Sequence, residues 1–449
     1  MEIKEYFDQK KEFYQLFQEY IDCEGDSNDK YANLLAFFQK QKIGEDSNEL
    51  VQLLRLLISF SNNHHRGPLF FSKIEKIIQH FEIQIKQTLS KSQLFQLFKK
   101  NKILLLFLIE NKIMDVDKDI FKKMIHETMK KDKKFCHFFY PEIKSFIEEE
   151  IGEEEEEFEK KKKEEKFEKK AGIKKEEEFE EEEEEFEEEE EEFEEEEEEF
   201  NDEKEIIKNI KKELLKENSD IFTNFDSNRH QGENGSYICS LIRQDSVAEF
   251  VKYINQANID LSSEIKYSVF ETNRFLIKKM PTLIQYAAFF GSIRIFNYLL
   301  LNKAKLNPSL WLYTIHSCNN ELFVLLEENH LELTDDLYEQ MFKESIKCHH
   351  NDLSVYLQEK INDKNEDNKD EFYDLLPFNN SDEMNYDKNF VEYAFHYCNY
   401  EFLKDDFNQN NLLLYACKYN YLNLVKILLR MESVYVNFFY EISKKKKRF

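Results

Sequence analysis

Glycine and proline are scarce in this chain, 8 and 5 among 449 residues. So few turn formers argue against a β-sandwich or barrel and suit helices joined by short links. The same shortage leaves little scope for a Gly-rich phosphate loop, a dinucleotide fingerprint or a nucleophile elbow, and none of these motifs occurs. The 7 cysteines stand singly at 23, 136, 239, 318, 348, 398 and 417, without paired spacing. They read as reduced thiols in an intracellular protein, mostly small core residues. Long hydrophobic runs are missing too. The longest, Ile103 to Ile109, is far short of the roughly 20 residues that cross a bilayer. The first residues, Met1 to Lys11, lack the apolar centre of a secretory signal. The expectation is a soluble, cytoplasmic, non-enzymatic protein with no membrane contact, cofactor, metal or small-molecule substrate.

Negative charge is abundant but local. Of the formal net charge of −29, the 35 acidic and 9 basic residues between 148 and 203 carry −26, leaving −3 for the rest. The folded parts are therefore nearly neutral, and nucleic-acid binding is not expected of them. A hydrophobic content of 41%, with 42 Phe and 23 Tyr, is enough to pack sizeable cores.

Three regions follow, then a short tail. Residues 1–147 read as a helical N-terminal domain, with degenerate repeats as one reading of it. Phe13, Leu16, Phe17, Tyr20 and Ile21 recur at helical spacing, as do Leu50, Leu53, Leu54, Leu57 and Ile58. Ser72 to Glu75 has the pattern of a capping box opening a helix that carries Ile74, Ile77, Ile78 and Phe81.

Residues 148–204 form a Glu-rich linker. Phe179, Phe186, Phe193 and Phe200 lie seven apart, but a coiled coil ordinarily needs two apolar positions per heptad. The 15 Glu–Glu pairs four apart between 176 and 199 oppose an isolated helix by roughly 3–7 kcal/mol. The readings are a disordered or fluctuating helix, a persistent solvated helix, or an acidic motif for basic proteins.

Residues 205–435 hold the repeats, and 436–449 a basic tail. The best copy is Thr282 to Asn307, with Tyr286-Ala287-Ala288 in a first helix, Gly291 closing it, and a second helix ending at Leu299-Leu300-Leu301. Further copies lie at Gly235–Ile254 (weaker), Trp311–Leu326, Met341–Leu357, Phe390–Leu403 (partial) and Asn411–Leu429 (a clear final one), with an insertion loop at Asn362–Lys388. Ser246 with Glu249 suggests a second capping box.

The Thr282–Asn307 segment resembles an ankyrin repeat. With Asn62 to Arg66, Phe135 to Ile143, Pro308 to Tyr313 and Ser345 to Asn351, the chain resembles a large family of protozoan ankyrin-repeat proteins carrying a domain of unknown function. The resemblance implies an all-α fold: an ankyrin-repeat-like helical solenoid, preceded by the helical domain and the acidic linker. It implies protein–protein interaction through the concave face, as scaffold or adaptor, with an unknown protein partner. The alternative is an acidic chaperone-like or nucleic-acid-mimic protein that binds basic clients through the Glu tract.

Carrying the ankyrin groove onto this chain makes Tyr286, Phe289, Phe290, Trp311 and Tyr313 candidate partner anchors. The plainer reading is that they fill space between neighbouring repeats. His64-His65 and Cys348-His349-His350 invite a metal, but neither has paired ligand spacing. They read as polar turns, with Asn351 a helix cap. Lys444 to Arg448 is a solvated tail, a nuclear address or a partner for the Glu tract.

Overall fold

The computed structural model describes residues 3–67, 69–130, 132–150, 206–210, 224–277, 279–367, 385–404 and 407–431. The Glu-rich tract from 151 onward and the basic tail lie outside them. Among the described residues the chain is helical, and the only β feature is an isolated bridge between Glu264 and Thr282. No described helix is long and apolar enough to cross a membrane.

The helices are α1 Ile3–Asp22, α2 Asn28–Lys40, α3 Ser47–Asn63, α4 Phe70–His80, α5 Glu82–Thr88, α6 Lys91–Phe98, α7 Lys102–Glu110, α8 Lys118–Lys130 and α9 Phe135–Phe138. They continue with α10 Phe225–Gln231, α11 Tyr237–Arg243, α12 Val247–Gln256, α13 Arg274–Ile277, α14 Leu283–Phe290 and α15 Ile293–Leu301. The rest are α16 Leu310–Ser317, α17 Asn320–Glu328, α18 Asp335–Cys348, α19 Asn351–Asp367, α20 Asn385–Tyr397, α21 Gln409–Lys418 and α22 Leu422–Leu428.

Contacts group these into two compact units. One joins 1–90, 97–104 and 234–449; the other joins 91–96 and 105–233. The sequence reading treats 1–147 as one domain and leaves its contact with the later region open; the contacts group residues 1–90 with 234–449. Polar side chains of α1 and α3 make the difference, as described below.

In the first unit the hairpins α11–α12, α14–α15, α16–α17, α18–α19 and α21–α22 follow one another, with α20 and the short 3-10 turn Tyr400–Phe402 forming another. Their first helices touch in order: α11 on α14, then α16, α18, α20 and α21. Each first helix is followed within two residues by one residue with positive φ: Asp245, Gly291, Cys318, His349, Cys398 and Asn420. The next amide bonds the carbonyl five residues back at five of the six turns, as in Ser292 to Ala287 (2.9 Å) and Asn399 to Ala394 (2.9 Å). That bond satisfies a helix-end carbonyl and turns the chain sharply.

Neighbouring hairpins are also stitched by that following residue. Ser292 donates to the Ile242 carbonyl (2.6 Å), Asn399 to Ile346 (2.9 Å) and Tyr421 to Phe395 (3.0 Å). Each accepting carbonyl lies three residues before its own positive-φ position, so three different side chains do one geometric job.

Some sequence expectations need correction. The Ser72 capping box is not formed: α4 starts at Phe70, and the Ser72 hydroxyl donates to the Leu69 carbonyl. Ser246 does precede α12, but its side chain makes no cap bond. Within the expected 362–388 insertion, α19 runs on to Asp367 and α20 starts at Asn385; the residues between are outside the described set.

The second unit packs Phe121 on Phe146 (5.5 Å) and Phe135 on Phe139 (5.0 Å). Its polar centre is buried Arg229, which donates to both oxygens of Glu142 (2.8 and 2.6 Å) and to Asp226 (3.2 Å).

Candidate functional site

Helix α3 carries two kinds of side chain. Leu50, Leu53, Leu54, Leu57 and Ile58 are buried. Between them runs a polar stripe, Gln52, Arg55 and Ser59, continued by His64 beyond the helix end. Gln52 donates to the Asn420 carbonyl, Arg55 to Tyr419 and Ser59 to Tyr397 (2.9 Å). His64 Nδ1 bonds the Cys348 carbonyl at 2.8 Å. Tyr419, Tyr397 and Cys348 each immediately precede a positive-φ residue. Their carbonyls are the orphan acceptors that a helix C-terminus leaves unpaired. One helix thus caps three successive hairpins of the row.

Helix α1 supports this seam. The Tyr14 hydroxyl meets His349 Nδ1 at 2.8 Å, and Gln18 donates to the His349 carbonyl at 3.3 Å. Asn423 of α22 donates to Asp46 (3.0 Å) and Glu49 (2.8 Å). Lys10, buried on α1, pairs with Glu49.

At one end of the seam the fold gathers histidines that the sequence leaves far apart. One ligand atom from each of His64, His65 and His350 lies within 4.8 Å of the other two. The ring centroids are 4.4 Å apart for His64–His65, 5.1 Å for His64–His350 and 5.6 Å for His65–His350. Asp22, the last residue of α1, places Oδ1 2.9 Å from His64 Nε2. Burial opposes ionisation of Asp22, but the hydrogen bond and charge of His64 outweigh it and hold its carboxyl below the usual range. Burial and then neighbouring His64 push His65 down to about 4. The same causes hold His350 well below its ordinary value, and His350 Nε2 is buried without a partner.

A second triad adjoins in sequence. His316 Nε2 lies 2.8 Å from Glu344 Oε1, and Cys348 Sγ lies 3.4 Å from His316 Nδ1. Thiol, imidazole and carboxylate stand in the order of a nucleophilic triad. Burial, however, raises the Cys348 thiol well above its ordinary value and lowers His316. Cys348 is wholly inaccessible, so no substrate reaches its sulfur and no thiolate is favoured. Burial raises Glu344, but His316 and Lys347 outweigh it and bring the carboxyl down to about 2. The triad is a neutral imidazole held by a closed ion pair.

The expected partner anchors are mostly interior. Tyr286, Phe289, Trp311 and Tyr313 are buried, and only Phe290 keeps part of its surface. Phe289 stacks on His316 (4.9 Å) and Phe275 (5.9 Å), and Phe275 meets Tyr313 edge-on (4.9 Å). Arg243 donates to the Tyr286 hydroxyl (2.9 Å). These rings occupy the space between neighbouring hairpins. Asn351 opens α19 rather than capping it, and its side-chain Oδ1 accepts from Asn399 at 2.9 Å.

Sequence reasoning weighed His64-His65 and His349-His350 as separate pairs and read both as turns. It had no means of seeing that the end of α3 meets the α18–α19 turn. The available hint was a matching pair of turn sequences, each rich in Asn and His. Compared with known protein families, curated proteins and solved structures, the chain matches none of them.

Proposed function

We propose that this protein is a non-enzymatic protein-interaction scaffold, whose ankyrin-like row of hairpins presents a surface to a protein partner. The observation that supports this reading is the unbroken succession of first helices from α11 to α21. Such a row buries one face of each hairpin against its neighbours and leaves an extended surface built from many repeats. The inaccessible Cys348–His316–Glu344 set weighs in the same direction, because the arrangement nearest to a catalytic one is closed to substrate.

The contact surface is sought away from the seam, since α1 and α3 already occupy the turn ends. The second helices leave apolar side chains in solvent: Val324, Val355 and Tyr356 are about half exposed, and Leu301 is 82% exposed. Val324 and Val355 both stand six residues after their hairpin's positive-φ turn. They therefore share one register on adjacent hairpins.

The test uses the full chain as bait beside a Val324→Glu/Val355→Glu variant with an unchanged melting temperature. A partner held stoichiometrically by the native chain and lost by the variant is the expected result. Recovery of the same proteins by both, or turnover of a small molecule by the purified chain, overturns the proposal.

A further inference from the structure

We infer that Asp22, His64, His65 and His350 form a binding site for one zinc-type divalent ion, which staples the N-terminal helices to the row of hairpins. Three imidazoles and a carboxylate are a donor set suited to zinc. They come from three remote stretches: the end of α1, the segment after α3 and the turn between α18 and α19.

The imidazole atoms lie within 4.8 Å of one another. A tetrahedral site with bonds of about 2.0–2.1 Å needs ligand atoms about 3.3 Å apart. The cluster must therefore close by up to about 1.5 Å, which side-chain rotation supplies. His64 is already oriented as a ligand: Nδ1 bonds the Cys348 carbonyl at 2.8 Å, directing Nε2 at Asp22. A backbone carbonyl on the far nitrogen is how metal-bound histidines are commonly held. His350 Nε2 is buried and has no partner, and an ion would satisfy it.

Nearby cations are engaged elsewhere. Lys73 donates to the carbonyls of Ile21 (2.9 Å) and Cys23 (2.6 Å). Arg66 bonds Thr272 and lies over Phe71. Access is open on the rim, where the Asp22 side chain is 40% exposed.

The test is a cobalt(II) titration of the chelator-stripped full chain, followed by displacement with zinc. One equivalent should bind, with the strong d–d absorption of a tetrahedral ion and no thiolate charge-transfer band. His65→Gln should weaken binding at least 10-fold while leaving the metal-free melt intact. Cys318→Ser, at an exposed thiol within electrostatic reach of Asp22, should bind as the native chain does. Three results overturn the assignment. One is absence of saturable binding, and another is a thiolate band. The third is native-like affinity in both His65→Gln and His350→Asn, which would leave only adventitious binding by the abundant acidic residues.

Discussion

Six positions in the row hold the same backbone conformation with little in common as residues: Asp245, Gly291, Cys318, His349, Cys398 and Asn420. Of the six, only Gly291 is a glycine, the residue that most directly announces a left-handed turn in sequence. Cys318 is exposed at φ +51°, a conformation that costs a side-chain-bearing residue about 1 kcal/mol. Cys318→Gly should therefore raise stability by a few tenths to about 1 kcal/mol, read from urea midpoints. A loss would mean that the thiol makes a stabilising contact.

The clustered histidines also set a pH dependence. His65 takes up its proton near pH 4 in the folded chain, against an ordinary value of about 6.5. Between those values the unfolded chain binds more protons, so stability is complete above about pH 6.5 and falls as pH drops toward 4. His349 and His350 act in the same direction. A further loss begins below about pH 4.5 as Glu344, with its folded value about 2, is protonated. Urea unfolding of metal-free protein across pH 4–7 should show the first limb, and His65→Gln should flatten it. Equal slopes in both proteins would contradict the assignment. Arg229 gives a separate test in the other unit. Arg229→Met should cost about 3–5 kcal/mol by stranding the Glu142 carboxylate, while an unchanged melt would show that Glu142 relaxes into water.

Among the helices, the apolar faces were legible and the polar stitching was not. Leu50, Leu53, Leu54, Leu57 and Ile58 of α3 were read as a core stripe, and all five are buried. Gln52, Arg55 and Ser59 look like an ordinary solvated face, because nothing local shows that carbonyls of remote helix ends await them. The aromatic residues of α14 and α16 have two readings in the sequence, groove anchors by analogy or filling between hairpins, and four of the five are interior. Asn399 is the sharpest test of the stitching, being wholly buried between the Ile346 carbonyl and Asn351. Asn399→Ala removes both bonds and strands an acceptor, so a loss of about 2–3 kcal/mol is expected from chemical denaturation. A change under about 0.5 kcal/mol would show that the row holds together without it.

For the molecule as a whole, helical class was readable from sparse Gly and Pro and from helical spacing, while the grouping of segments was not. Grouping depends on contacts between residues more than 280 positions apart, such as Tyr14 with His349 and His64 with Cys348. Periodicity carries no information about such pairs. The central claim is that α3 belongs to the same cooperative body as the hairpins it caps. Native-state hydrogen exchange on the full chain at increasing denaturant tests it most directly. The amides of α3 and those of α16, α18 and α21 should open with one free energy and one denaturant dependence. Early exchange of α3 through a smaller opening, with the hairpins still protected, would contradict it.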